Sequence, residues 1–137
     1  MTEVKLWNLA DLELARLRLL PTEAVRRTTV EAMVDTGAVN MAIPEEVARA
    51  LGLQVIEIRT VTLADGTKRQ MPKVGGMRIE ILGRQMTCDA FVTPTGTMPL
   101  IGQIPLEGLD LIVDPGTRQV RVRLESGPEY NLLRIAA

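Results

Sequence analysis

Turn signals punctuate the second half of the chain at short intervals, and alternating apolar residues fill the gaps between them. Val55 to Leu63 reads as a strand, Ala64-Asp65-Gly66-Thr67 as a hairpin turn, and Lys68 to Val74 as the returning strand. Asp-Gly between two alternating segments is among the strongest local hairpin signals, because both residues tolerate the left-handed backbone that such turns need. Met77 to Leu82 and Gln85 to Val92 read as a second hairpin about Gly83-Arg84. Here Met77, Ile79 and Ile81 share one face, and Met86, Cys88, Ala90 and Val92 share another. Leu111 to Val113 and Gln119 to Leu124 read as a third, about Asp114-Pro115-Gly116-Thr117, and Tyr130 to Ile135 as one further strand. Many short strands joined by tight turns predict an all-β barrel or sandwich.

The first half carries the same pattern with one clear helix. Val4-Lys5-Leu6-Trp7 alternates as a short strand, and Thr28 to Val34 is β-branched, with Val30, Ala32 and Val34 on one face. The Leu- and Arg-rich stretch from Ala10 to Leu20 fits neither period and reads as an insertion between these two strands. Ile43 to Gly52 reads as a short helix. Pro44 suits its first position, Glu45 and Glu46 suit the positive end of its dipole, and Gly52 suits its end. Val47, Ala50 and Leu51 are its expected buried face. A second short helix is expected around Pro105 to Leu109, after the apolar turn Leu100-Ile101-Gly102. The expected fold class is therefore all-β with one or two short helices, in one domain spanning residues 1–137.

Absences narrow the chemistry. The chain holds no histidine and one cysteine, Cys88. A Ser-His-Asp or Cys-His mechanism is thereby excluded, and so are the usual zinc sites within one chain. Neither GxxxxGK[ST] nor GxGxxG occurs, so no phosphate-cradling loop is expected. A net charge of −1 offers no electrostatic footprint for nucleic acid or an anionic membrane. No apolar run approaches a membrane span, no secretory leader is visible, and a lone cysteine suits a reducing compartment, so a cytoplasmic protein is expected. Carboxylates are the natural remaining candidates for catalysis.

One carboxylate stands out. Asp35-Thr36-Gly37-Ala38 follows the strand that ends at Val34. Alone, Asp-Thr-Gly also suits a turn in which the Asp side chain caps a strand end. Its context adds meaning: the hairpin tip Leu63-Ala64-Asp65-Gly66-Thr67 follows about thirty residues later, and Leu100-Ile101-Gly102 about thirty-five after that. This order resembles the retropepsin-like aspartic proteases of clan AA, including small cellular members of bacteria and archaea. The resemblance runs from about Thr28 to Val120, and the run from Leu106 to Pro115 also resembles the segment that follows the Leu-Ile-Gly turn in those proteins.

The resemblance implies an acid-protease barrel lobe closed as a homodimer, acting on peptide or protein substrates without a cofactor. Asp35 would be the catalytic residue, one from each chain, since the sequence holds a single Asp-Thr-Gly. Two carboxylates a few ångströms apart cannot both ionise cheaply, so such a pair shares a proton. One member activates water and the other stabilises the oxyanion. By resemblance, Thr36 bonds the partner's loop, Gly37 permits the tight turn, and Ala38 is the small residue that follows. Pepsin-like enzymes carry a hydroxyl at that place, so a less acidic optimum than theirs is expected. Leu63 to Thr67 would form the flap over the substrate, although its charged tip departs from the Gly-rich apolar tips of viral relatives. Leu100, Ile101 and Gly102 would support the active-site loop. The terminal segments Thr2–Leu9 and Tyr130–Ile135 would pair across the dimer. The alternative is the same fold used as a catalytically weak or inactive module that binds extended peptides.

Overall fold

The computed structural model describes residues 1–123; the strand expected at Tyr130–Ile135 lies outside the described residues. The strands are β1 (Thr2–Asn8), β2 (Arg27–Val34), β3 (Met41–Pro44), β4 (Gln54–Thr62), β5 (Lys68–Ile81), β6 (Arg84–Thr93), β7 (Leu100–Ile101), β8 (Leu111–Val113) and β9 (Val120–Val122). Three short helices accompany them: α1 (Leu9–Arg16), α2 (Glu45–Leu51) and α3 (Gln103–Gly108). The fold is mostly β, as expected.

Six strands close on themselves. Hydrogen-bonded neighbours run β1-β2-β7-β3-β6-β5, and β5 returns to β1 through the register Lys5↔Glu80 to Asn8↔Met77. Closure removes free edges, and alternation then decides what lies inside. Val4 and Leu6 from β1, Ala32 from β2, Met41 and Ile43 from β3, and Met77, Ile79 and Ile81 from β5 are all fully buried. Leu51 at the end of α2 and Leu109 just past α3 are sealed into the same core. β4 stays outside the ring, paired only to the first half of β5, and β8 and β9 form a separate two-stranded sheet.

The structure redraws several boundaries. Lys68–Val74 and Met77–Leu82 are not two strands but one, β5. Gly75 and Gly76 form a bulge inside it, with Gly76 at a φ of 76°, and the ladder to β6 resumes at Met77↔Cys88. Leu82 and Gly83 make the next turn, both at positive φ, whereas Arg84 opens β6 and is only 5% exposed. Its Nη1 donates to the carbonyls of Leu109 and Asp110 at 2.9 Å each, which satisfies the buried cation and pins β6 to the end of α3. Pro44 precedes α2 as its cap and ends β3, and Ala48, not Ala50, shares the buried face with Leu51. Gly52 closes α2 at a φ of 63°, as its sequence position implied.

The N-terminal segment differs most from expectation. β1 pairs with β2 along Thr2↔Ala32 to Trp7↔Arg27 and with β5 along Lys5 to Asn8. Both edges of Lys5–Trp7 are thus filled from within the chain, which makes that half of β1 barrel wall. The ambiguous stretch after it is α1, capped by the Asn8 side chain accepting from Asp11 N–H at 3.0 Å. Asp11 in turn accepts from Arg26 Nε at 2.8 Å and Nη2 at 3.1 Å, which fastens the insertion to the start of β2.

Candidate active site

β2 delivers Asp35 to the surface. The strand's inward residues end at Val34, and the chain then leaves the barrel in an exposed turn at Asp35-Thr36-Gly37. Ala38 N–H donates to the Asp35 carbonyl at 3.1 Å, and Gly37 N–H to Asp35 Oδ1 at 2.9 Å. The second bond holds the carboxylate over its own loop. A Cβ at position 37 would sit 3.3 Å from that same Oδ1, so glycine keeps the approach open.

β7 locks this loop from beneath. It slots between β2, to which it is parallel, and β3, to which it is antiparallel. Asp35 N–H donates to the Ile101 carbonyl at 2.9 Å, and Gln103 N–H and Ile104 N–H donate to the carbonyls of Ala38 and Val39 at 2.8 Å each. The start of α3 therefore caps itself on the loop, and the Gln103 side chain adds a bond to the Thr36 carbonyl at 2.8 Å. Gly102 lies at the crossing. A Cβ there would stand 2.3 Å from the Asn40 carbonyl oxygen and 2.6 Å from that of Ala38, closer than any side chain tolerates. Leu100-Ile101-Gly102 is thus a two-residue strand and a contact point rather than a buried turn.

The hairpin tip is equally well built. Leu63 N–H donates to the Thr67 carbonyl at 2.8 Å, and Gly66 takes a φ of 86°. Asp65 Oδ1 accepts from Thr67 Oγ1 at 2.6 Å and Thr67 N–H at 2.9 Å. Those bonds, the hydroxyl's first, hold the Asp65 carboxyl below the usual carboxylate range. None of Leu63, Ala64, Asp65, Gly66 or Thr67 lines the cavity of about 420 Å³ that holds Asp35 and Thr36. Residues 35–38 and 100–102 are brought together within one chain, while residues 63–67 form none of that cavity's lining.

That cavity also contains residues that the sequence pattern did not single out. Met33 and Val34 flank Asp35, and Val113, Pro115 and Arg118 face it from the β8–β9 hairpin. Gln103 had one signal, its place directly after Gly102; Arg118 had none, being far from Asp35 along the chain. Cys88 is held as the thiol. Burial, with Asp89 beside it as the lesser cause, pushes its thiol up to about 12. Among the described residues, no helix is long and apolar enough to cross a membrane.

The family model for a gag-polyprotein putative aspartyl protease matches residues 23–108, more than half of the chain. The match spans the Asp35 loop, the hairpin and the β7 crossing. No curated protein matches the chain.

Proposed function

The chain belongs to the gag-polyprotein family of retropepsin-like aspartyl proteases, and on that premise we propose that it is an aspartic endopeptidase acting as a homodimer. The observation that carries this reading is the Asp35 carboxylate, presented at a cleft by a loop whose backbone is fixed at both ends. An exposed carboxylate held to its own loop by one amide is geometrically ready to work and chemically incomplete. One carboxylate cannot both accept a proton from water and donate one to an oxyanion. The single Asp-Thr-Gly of the sequence makes the second carboxylate a matter of assembly.

In this reading, two Asp35 side chains meet across a two-fold axis and share one proton. The ionised member takes a proton from a bound water, whose oxygen attacks the peptide carbonyl. The protonated member hydrogen-bonds the developing oxyanion. Thr36 and Gly37 set the spacing of the two loops, and residues 63–67 cover the bound peptide and exclude water.

The test is cleavage of a mixed peptide library between about pH 3 and pH 7, read by mass spectrometry, with sedimentation to report assembly. Asp35→Asn is expected to lower kcat at least about a thousandfold while keeping the dimer and the melting temperature, because the amide has the same shape and its Oδ1 can still accept from Gly37 N–H. Cleavage that survives in Asp35→Asn would refute the assignment. A stable dimer that binds peptides and cuts none would favour the non-catalytic binding module.

A further inference from the structure

The Asp35 cavity has two unlike walls. Met33, Val34, Asp35 and Thr36 form one; Val113, Pro115 and Arg118 form the other. Arg118 is exposed, and its position is set by a tightly bonded turn. Arg118 N–H donates to the Asp114 carbonyl at 2.7 Å, and Asp114 N–H to the Gln119 carbonyl at 2.8 Å. The turn places Arg118 itself in the left-handed region, at a φ of 56°, where an arginine is uncommon. Its backbone is thus fixed beside the candidate catalytic carboxylate.

The guanidinium is not consumed by the fold. Other arginines go to carboxylates: Arg26 to Asp11, Arg49 to Glu45, Arg59 to Glu57, Arg123 to Asp110. Arg118 forms no such pair among the described residues. The nearest acid along the turn, Asp114, is occupied, its Oδ1 accepting from Gly116 N–H at 2.9 Å and Thr117 N–H at 3.3 Å. The other charge lining the cavity is Asp35, and no ion pair joins it to Arg118. Such a pair would hold Asp35 ionised and work against a shared proton. An open cavity lined in part by Met33, Val113 and Pro115, with one unspent, planar, five-donor cation, is suited to a carboxylate on a short apolar stem.

We propose that Arg118 is a specificity-determining residue that binds a substrate carboxylate close to the bond to be cut. The proposal rests on the protease reading for the cut, and on geometry alone for the binding. The carboxylate is either an acidic side chain of the peptide or its free C-terminus. Met33, Val113 and Pro115 cover the methylenes beneath it, while the guanidinium fork takes both oxygens.

Two synthetic decapeptide pools, identical except for Glu or Gln at fixed positions, each made with free and amidated C-termini, test this. The full chain is expected to cut the Glu pool on the order of tenfold faster in kcat/KM than the Gln pool, the worth of one charge-assisted contact. Arg118→Gln is expected to bring that ratio to near one, Arg118→Lys to restore part of it, and Arg118→Glu to invert it in favour of the Gln pool. A preference that follows the free C-terminus instead identifies that carboxylate as the ligand. A ratio unchanged in Arg118→Gln overturns the proposal while leaving the protease reading intact. So does weakened dimerisation by Arg118→Gln with the ratio preserved. Binding of the same pools to the full-length Asp35→Asn chain separates the two readings. If wild type cuts neither pool, an Arg118-dependent preference in binding upholds this inference alone. Absence of any preference in binding rejects it.

Discussion

One strand, β5, runs through two regions that are held in different ways. From Met77 to Ile81 it is barrel wall, with β1 on one edge and β6 on the other and its inward side chains fully buried. From Lys68 to Gln70 it is hairpin, paired to β4 alone and exposed. β4 is exposed along nearly its whole length, including Val55, Ile56 and Ile58, the last at 66%. The barrel buries what its alternation demands; the hairpin displays apolar side chains that nothing among the described residues covers. The difference teaches that the barrel completes its own burial, whereas the hairpin and the Asp35 cavity stay open among the described residues. Gly75 and Gly76 mark the border, where the bulge lets one strand leave the wall without ending.

The contrast is broken most severely at the point where scaffold and site touch. Gly102→Ala forces a Cβ into two backbone carbonyls, and neither can retreat without moving the Asp35 loop or β7. Its expected cost is about 4 kcal/mol or more by urea denaturation, in the range that marks a named structural fault. A near-neutral result would show that the crossing is looser than its geometry implies.

Two isoleucine truncations sharpen the comparison directly. Ile79→Ala, in the wall, should cost about 2–5 kcal/mol through lost burial and a residual cavity. Ile58→Ala, in the hairpin, should change stability by no more than about 0.5 kcal/mol. The same hairpin truncation is expected to weaken peptide cleavage or dimerisation instead. Equal stability costs for the two would erase the distinction between the regions.

The smallest effect belongs to the hairpin tip and depends on pH. Hydrogen bonds from Thr67 hold the Asp65 carboxyl below its ordinary value, so the folded turn favours the ionised form. That contribution is fully present above the ordinary carboxylate pKa and is lost as the pH falls through the lowered one. The Thr67 amide resonance should therefore shift in the acidic limb of a titration, below the ordinary Asp range. Asp65→Ala should abolish that shift and leave the melting temperature of the barrel unchanged. A tip that orders further on acidification would contradict the bond pattern.

Much of the site was legible because its signals are local. Asp35-Thr36-Gly37 after an alternating strand, Asp65-Gly66 between two others, and Pro44 to Gly52 with its charged first turn each state their own backbone conformation. What escaped the sequence was decided at a distance. Two adjacent glycines read as an end to a strand, yet β5 continues through them because β6 keeps pairing across the bulge. A pair of residues has no period to detect, so Leu100-Ile101 became a strand only by fitting between β2 and β3. Alternation announced Val4–Trp7 as a strand but not its neighbours, which are β2 on one edge and β5 on the other.

The sequence by itself determined where the chain turns, which faces are apolar, and that a single Asp-Thr-Gly ends an alternating strand. These follow from residue-level preferences of backbone and side chain, which need no partner to act. Only the tertiary structure decided that Gly102 must be glycine, that β1 closes a ring, and that Arg118 faces the cavity of Asp35. Each of those depends on segments far apart in sequence approaching within contact distance, and no local preference encodes which distant segment arrives.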